Sequence, residues 1–302
     1  MKRNNLFLAA VLLLSYAPAG YAGGTTASFL KLGSGARAAG LGGAFTAVSD
    51  DINALSYNPA GLANLKRSEL GFTRAELVEG VSYNFLGYSR PAAKGTIGLG
   101  VNYLSQSSIE GRGANREAAG KFKASDTAIT LAYGRLLTAR SGLGVNFKFI
   151  TSAIADETGN SWAVDAGWQY KAPVKGLGLG LAVQNLGPKI KFIDEGSALP
   201  LTARAGMGYA VLDNVLLSFD VNRRINEKKT VFGFGSEYAV FNSFSMRAGY
   251  LKNAVSRGNS LADSGGLKAG FGFKLSSFNL DYAITPFGDI GKAHTISLGA
   301  GF

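Results

Sequence analysis

From Ser68 to Phe302 apolar residues return at every second position, and no apolar run reaches the ~18 residues that a membrane-crossing helix needs. Leu143, Val145, Phe147 and Phe149 share one face while Gly144, Asn146 and Lys148 share the other. Ile97, Leu99, Val101 and Tyr103 repeat the split, as do Trp162, Val164, Ala166, Trp168 and Tyr170, and again Leu267, Ala269, Phe271, Phe273 and Leu275. A soluble β-sandwich alternates too, but its second face is a solvated Lys/Glu/Thr face. Here the second face is mostly Gly, Ala, Ser and Asn, the lining expected of a narrow, partly filled lumen. The chain holds 42 glycines in 302 residues, about twice the usual ~7% share, without proline enrichment or a three-residue period. This pattern predicts an all-β fold, a fourteen-stranded antiparallel transmembrane β-barrel. The expected strands are 68–74, 79–90, 95–106, 123–136, 141–152, 160–171, 176–186, 199–211, 214–224, 230–240, 243–253, 265–275, 277–286 and 292–302. Tight connections then alternate with longer ones, the latter at 107–122, 153–159, 187–198, 225–229 and 254–264. Short turns at one end and long loops at the other, with an even strand count, suit a bacterial outer-membrane barrel.

Ahead of the strands, Lys2 and Arg3 precede the apolar run Leu6 to Leu14, and Gly20-Tyr21-Ala22 offers a small-x-small cleavage site. These are the parts of a secretory signal peptide, expected to span residues 1–22 and to be cleaved after Ala22 following Sec export to the bacterial outer membrane. With no cysteine in the chain, neither lipoprotein acylation nor disulfides are available. The formal charge of +11, lowered by two on loss of Lys2 and Arg3, comes from basic residues scattered singly. No nucleic-acid partner is expected from such a distribution, and outer-membrane lipids are the natural contact.

Between these parts, Ala36 to Ala63 is small-residue-rich and irregular, with five glycines from Gly33 to Gly43. It reads as a plug, so residues 23–67 are expected to form a hatch inside a barrel of residues 68–302. Ser49 or Asp50 is the expected N-cap of one or two helical turns, and Asn58-Pro59-Ala60-Gly61 supplies turn chemistry that stops them. The run Gly40 to Val48, the pair Asp50-Asp51 and Tyr57 to Leu62 resemble the N-terminal hatch of the FadL superfamily of outer-membrane barrels. Together with Phe29 to Gly40 they are similar to its PorV/PorQ branch. That resemblance covers residues 28 to 65; beyond it the match is one of pattern only.

The resemblance implies binding and passive passage of hydrophobic small molecules, released sideways through a wall gap near the hatch. It assigns gating to Asp50, Asp51, Asn58, Pro59 and Gly61, for which capping and turn formation is the plainer reading. For the PorV branch it implies instead a docking, shuttle or scaffold role with type IX secretion-system proteins as partners.

Extending the alternation inward puts Lys148, Asp165, Lys171, Arg204, Asp220, Glu237, Arg247, Lys268, Lys274 and Asp281 on the lumen wall. They read either as a lattice that holds the hatch or as a conduit with mild anion preference. Asp50 and Asp51, as gate elements, would pair with Arg204 or Arg247. Leu86, Tyr88, Leu216 and Leu251 fall out of phase with the lipid face and are candidate contacts for a hydrophobic ligand. The last strand, ending at Phe302, resembles the signal read by the barrel-assembly machinery. Nothing favours an enzyme, a cofactor or a metal site: the single histidine is His294, and runs such as Gly176-Leu177-Gly178-Leu179-Gly180 lack the Lys-Ser/Thr and helix of a phosphate loop.

Overall fold

The computed structural model describes residues 25–77, 80–112, 118–192, 195–253, 265–286 and 291–302. The expected signal peptide lies outside them, as does the whole 254–264 connection.

Sixteen strands follow in order: β1 (Glu69–Glu76), β2 (Val81–Ala92), β3 (Gly95–Arg112), β4 (Ala118–Thr138), β5 (Ser141–Ile154), β6 (Glu157–Lys171), β7 (Leu177–Leu186), β8 (Ile190–Phe192), β9 (Glu195–Ser197), β10 (Thr202–Leu212), β11 (Val215–Arg224), β12 (Lys229–Phe241), β13 (Phe244–Asn253), β14 (Gly266–Leu275), β15 (Phe278–Pro286) and β16 (Lys292–Gly301). All but β8 and β9 form one closed antiparallel barrel of fourteen strands, each paired with its neighbours in the chain. β1 closes on β16 from Glu69↔Gly301 to Glu76↔His294. Beyond that ladder Ser68 and Phe302 exchange backbone hydrogen bonds at 3.0 and 2.9 Å. Closure leaves no unpaired edge, the condition for β-structure in hydrocarbon.

The side-chain period of two fixes the register, because a slip of one residue would exchange the faces. Along β5 the buried and exposed residues alternate: Phe149 is 52% exposed and Ile150 1%. The outward residues, among them Leu99, Leu131, Phe234, Phe273 and Leu298, form a continuous apolar exterior suited to lipid.

Three connections differ from expectation. β3 and β4 continue to Arg112 and from Ala118, so most of 107–122 is strand. The 153–159 connection shrinks to a tight turn around Ala155, which takes φ 53°. The 187–198 connection folds into the β8–β9 hairpin. Ladder hydrogen bonds need no apolar side chains, so pairing runs on past the point where the apolar pattern fades.

The segment from Thr25 to Arg67 lies within the barrel. It contains a 3-10 turn (Ser28–Lys31), α1 (Ala36–Gly40), α2 (Ala54–Tyr57) and a 3-10 helix (Pro59–Asn64). Neither expected cap forms: the Ser49 hydroxyl donates to the Phe45 carbonyl, and Asp50 pairs with Arg37. The local turn before α2 comes from Asp51, whose Oδ1 accepts from the Asn53 N–H at 2.8 Å. α2 stops at Asn58, which is extended and followed by Pro59 at the start of the 3-10 helix, as the turn residues predict.

Three apolar clusters result. Ile52, Leu55 and Leu62 pack with Tyr83 and Phe85 of β2. Phe29 packs with Ile150, Ile190 and Leu199, which places the β8–β9 hairpin over the lumen. Leu41, Phe45 and Tyr57 form the third within the segment, with the Phe45 and Tyr57 rings 5.2 Å apart, edge to face.

Candidate functional site

The lumen wall meets the N-terminal segment through glycines. A Cβ on Gly144 would run into the Pro59 carbonyl and the Ala60 nitrogen, and one on Gly249 into the Gly42 nitrogen and the Gly40 carbonyl. Backbone therefore lies directly against backbone, and only glycine leaves room. Gly61 is equally confined: its Cβ would approach Ser49 Cβ to 2.8 Å and Ala54 Cβ to 2.9 Å.

Asn58 is fully buried and saturates its amide: Oδ1 accepts from the Ala60 N–H at 3.1 Å, and Nδ2 donates to the carbonyls of Thr46 at 2.8 Å and Trp168 at 3.1 Å. One side chain thus ties two parts of the segment to β6. Nearby, Asn146 Nδ2 donates to Asp165 at 2.8 Å and to the Leu55 carbonyl at 2.9 Å. Lys148 Nζ, 2.7 Å from Asp165 Oδ2, also donates to Asn185 at 2.9 Å.

Across the lumen the contacts are ionic. Arg37 bridges Asp50, at 2.5 Å, and Glu237, at 2.8 Å. Arg247 joins the same Glu237, at 2.6 Å, to Asp281, at 2.5 Å. Asp220 Oδ2 accepts from the Phe45 and Thr46 N–H groups at 3.2 and 3.0 Å and from the Thr46 hydroxyl. Arg204 reaches Asp220 at 3.4 Å, donates to the Gly43 carbonyl at 3.1 Å and lies over the Tyr57 ring at 4.9 Å. Burial and the neighbouring Asp50 push the Asp51 carboxyl up to about 6, against the pull of Arg37. Burial likewise raises the Tyr57 hydroxyl, so that it stays a neutral donor and acceptor.

At the first described residues, Glu227, in the turn between β11 and β12, accepts from Thr25 at 2.5 Å and Lys31 at 2.9 Å, with Arg224 at 3.6 Å. Burial alone would raise the Glu227 carboxyl, but the Thr25 and Lys31 hydrogen bonds and the charges of Lys31 and Arg224 hold it below the usual glutamate value.

Among the described residues one cavity lies toward each end of the N-terminal segment. The loop-end cavity, about 140 Å³, is bounded below by Ala39, Gly43 and Tyr57 and above by residues such as Leu77, Leu251 and Lys268. The turn-end cavity, about 440 Å³, lies under Ala47 to Asp50 and Asn64 and reaches the Ala172–Gly176 turn. The N-terminal segment separates them.

The sequence-predicted residues distribute unevenly. Lys148, Asp165, Arg204, Asp220, Glu237, Arg247 and Asp281 all face inward and take part in the contacts above. Lys268 also faces inward and borders the loop-end cavity. Lys274 and Lys171 have the inward phase but sit exposed at strand ends. The expected pairing of Asp50 or Asp51 with Arg204 or Arg247 does not form, because Arg37 of the segment itself reaches Asp50 first. Of the four apolar candidates, Leu216 and Leu251 line different cavities. Leu86 and Tyr88 are corrected to the outer face: Leu86 is 52% exposed opposite Phe72 and Val101, and Tyr88 stacks on Phe302 at 6.4 Å. Both share the outward phase of β2, so neither can touch a lumen ligand. Sequence reasoning missed Arg37, Thr46 and Glu227, which lie in irregular segments where no periodicity marks a face.

The family model described as an uncharacterised protein family, UPF0164, matches residues 19–149. No curated protein matches the chain significantly. Among solved structures the CymD monoaromatic hydrocarbon channel is similar at TM-score 0.68 and 12% identity, over 89% of this chain and 98% of that one. The Pseudomonas putida toluene transporter TodX follows at TM-score 0.64 and 13% identity, over 89% and 96%. The Ralstonia pickettii toluene transporter TbuX gives TM-score 0.65 and 13% identity, over 89% and 98%. At such low identity what these proteins share with this chain is the fold, over most of both chains.

Proposed function

We propose that this protein is an outer-membrane barrel, exported with a cleaved signal peptide, that binds small hydrophobic molecules and passes them across the membrane passively. The observation that carries the reading is a lumen into which residues 25–67 pack against the wall glycines, with a cavity on either side of them among the described residues. The channels that share the fold are named for hydrocarbon or toluene transport, which supports the same class of solute. Residues 23–67 act as the hatch, and passage requires it to shift. Asp50 and Asp51 sit at its turn-end surface beside Arg37, while Asn58, Pro59 and Gly61 form its fixed part. The β-ladder is closed all round, with an irregularity between β6 and β7 where Val164 pairs with Leu186 but Ala166 with Val183. A sideways exit would use that stretch. The C-terminal strand ending at Phe302 is the segment offered to the barrel-assembly machinery.

A second reading, docking of secretion-system proteins, is favoured by one observation: β3 and β4 run 18 and 21 residues against 8 to 15 for the other barrel strands, and rise at the loop end. The discriminating experiment uses purified full-length protein in lipid vesicles, with toluene entry and ion conductance measured together. Toluene entry above protein-free vesicles, with conductance that appears only after deletion of residues 24–60, is the expected result. No entry above background would sink the transport reading and move attention to the β3–β4 extension.

A further inference from the structure

The turn end of the barrel is divided in its chemistry. Two exposed cations stand at each of the β2–β3, β4–β5 and β6–β7 turns: Arg90 and Lys94, Arg135 and Arg140, Lys171 and Lys175. No Asp or Glu occurs in 88–96, 133–142 or 168–178. Among the described residues none of the six cations has an ion pair. The β10–β11, β12–β13 and β14–β15 turns are apolar instead, with Leu212, Phe241, Leu275 and Phe278 60 to 71% exposed. Side chains so bare gain by sinking into lipid, which sets this end of the barrel at the membrane interface.

The six cations differ in the side they face. Arg140, Lys171 and Lys175 line the turn-end cavity. Arg90 and Arg135 have the opposite phase: Arg90 follows Leu86 and Tyr88 on the outer face of β2, and Arg135 follows Leu131 and Tyr133 on that of β4. The ladders set Arg90 opposite Ile97 and Ile97 opposite Tyr133, so the arginines stand two strands apart, about 10 Å across the sheet. Tyr133 donates its hydroxyl to the Lys94 carbonyl at 2.8 Å, which ties the β2–β3 turn and its lysine to the same patch. An outward arginine at the margin of a lipid-facing surface lays its stem on the apolar wall and its guanidinium among the headgroups.

We propose that Arg90, Lys94 and Arg135, grouped around Tyr133, form a binding site on the outer wall for an anionic phospholipid of the leaflet at the turn end. The phosphodiester lies between the two guanidinium forks, which suit its paired oxygens, and the acyl chains run along the exposed Leu86, Ile97 and Leu131. Charge complementarity names the headgroup: a zwitterionic lipid brings its own cation to a patch that already holds three and no carboxylate. Continuity with the apolar exterior names the lipid, since a soluble phosphate ester gains nothing from those side chains. The site goes beyond the proposed function and is independent of what the lumen carries.

The test uses the full-length protein in a neutral detergent, titrated with phosphatidylglycerol or with phosphatidylcholine of the same acyl chains, bound lipid being counted by native mass spectrometry. Wild type should retain phosphatidylglycerol at about tenfold lower concentration than phosphatidylcholine. Arg90→Gln combined with Arg135→Gln should erase most of that preference. Lys171→Gln combined with Lys175→Gln, which removes the same charge from the lumen side of the same end, should keep it. Heat-modifiable migration on gels checks that both double variants fold. Glycerol phosphate at the lipid's concentration should displace nothing. Equal retention of the two lipids by wild type, equal loss in the two double variants, or displacement by glycerol phosphate would each overturn the inference, the last by making the patch a site for a soluble phosphate ester. Toluene entry into vesicles reads the lumen alone, so the transport reading stands or falls separately.

Discussion

Glycine contacts hold the N-terminal segment on both the β3–β6 and the β12–β15 side of the lumen, at Gly144 and at Gly249 for instance, but only the second side adds ion pairs to them. On the first side Pro59, Ala60 and Leu62 press on Gly134, Gly142 and Gly144, and Asn58 and Asn64 add neutral hydrogen bonds to β6. On the second, Arg37 is clamped by Glu237, which shares Arg247 with Asp281. Steric contact of this kind works at one distance only and is indifferent to salt and pH. An ion-pair chain gives up its energy gradually and can exchange partners with water. A hatch that moves would therefore pivot on the β3–β6 side and let go on the β12–β15 side, where ion pairs carry part of the hold.

The largest effect should come from breaking the steric side. Gly144→Val puts branched carbons where the Pro59 carbonyl lies, and should cost about 3 kcal/mol or more, since neither backbone can yield. Loss of heat-modifiable migration, or proteolysis within residues 25–67, would report it. Gly299→Ala is the control: its Cβ meets only Asn279, at 3.7 Å, so a change within about 0.5 kcal/mol is expected. If both variants behave alike, the glycine contacts do not hold the segment.

Arg247→Gln strands Asp281 and leaves Glu237 with Arg37 alone. The pairs are mostly but not wholly buried, so a loss of about 2 kcal/mol is expected, below the range for fully buried pairs. The distinguishing readout is hydrogen exchange, which should rise in α1 and stay unchanged at Pro59–Asn64. Uniform acceleration through both would abolish the pivot.

Asn58→Ala removes three hydrogen bonds and leaves the Thr46 and Trp168 carbonyls without this donor. A loss of about 1–2 kcal/mol should appear as a lower denaturation midpoint, with Asn58→Asp no better because it lacks the donor.

The smallest effect concerns acid. The Glu227 carboxyl lies below its usual value in the folded protein, so its contribution is fully present above the unfolded glutamate value of 4.5 and fades as the pH falls through the depressed folded value. Exchange at residues 26–32 should therefore accelerate below about pH 4.5, and Glu227→Gln should remove that pH dependence. Equal acid sensitivity in the variant would mean another group holds residues 26–32.

Much of the barrel was legible before any coordinates. The alternation in β5, Leu143 to Phe149 against Gly144 to Lys148, needs only neighbours two residues apart, and it gave the strand, its faces and its phase. The same rule placed Lys148, Asp165, Asp220 and Arg247 on the lumen wall. It failed at Leu86 and Tyr88, because the bulky residues of β2 lie on both faces: Tyr83 and Phe85 turn inward onto Leu55 and Ile52, so size alone did not tell the sides apart. Strand ends were misjudged wherever pairing outlasts apolarity, as in β3 and β4.

The sequence by itself determined fourteen strands, a greasy outer face and an irregular segment placed to fill the space within, since each follows from local periodicity and its interruption. Only the tertiary structure decided which charges meet. Arg37 and Glu237 stand 200 residues apart, and Thr46 and Asp220 174. Such partners are set by where the closed ring brings β11 and β12 against a folded-in segment, a distance no repeat in the chain encodes.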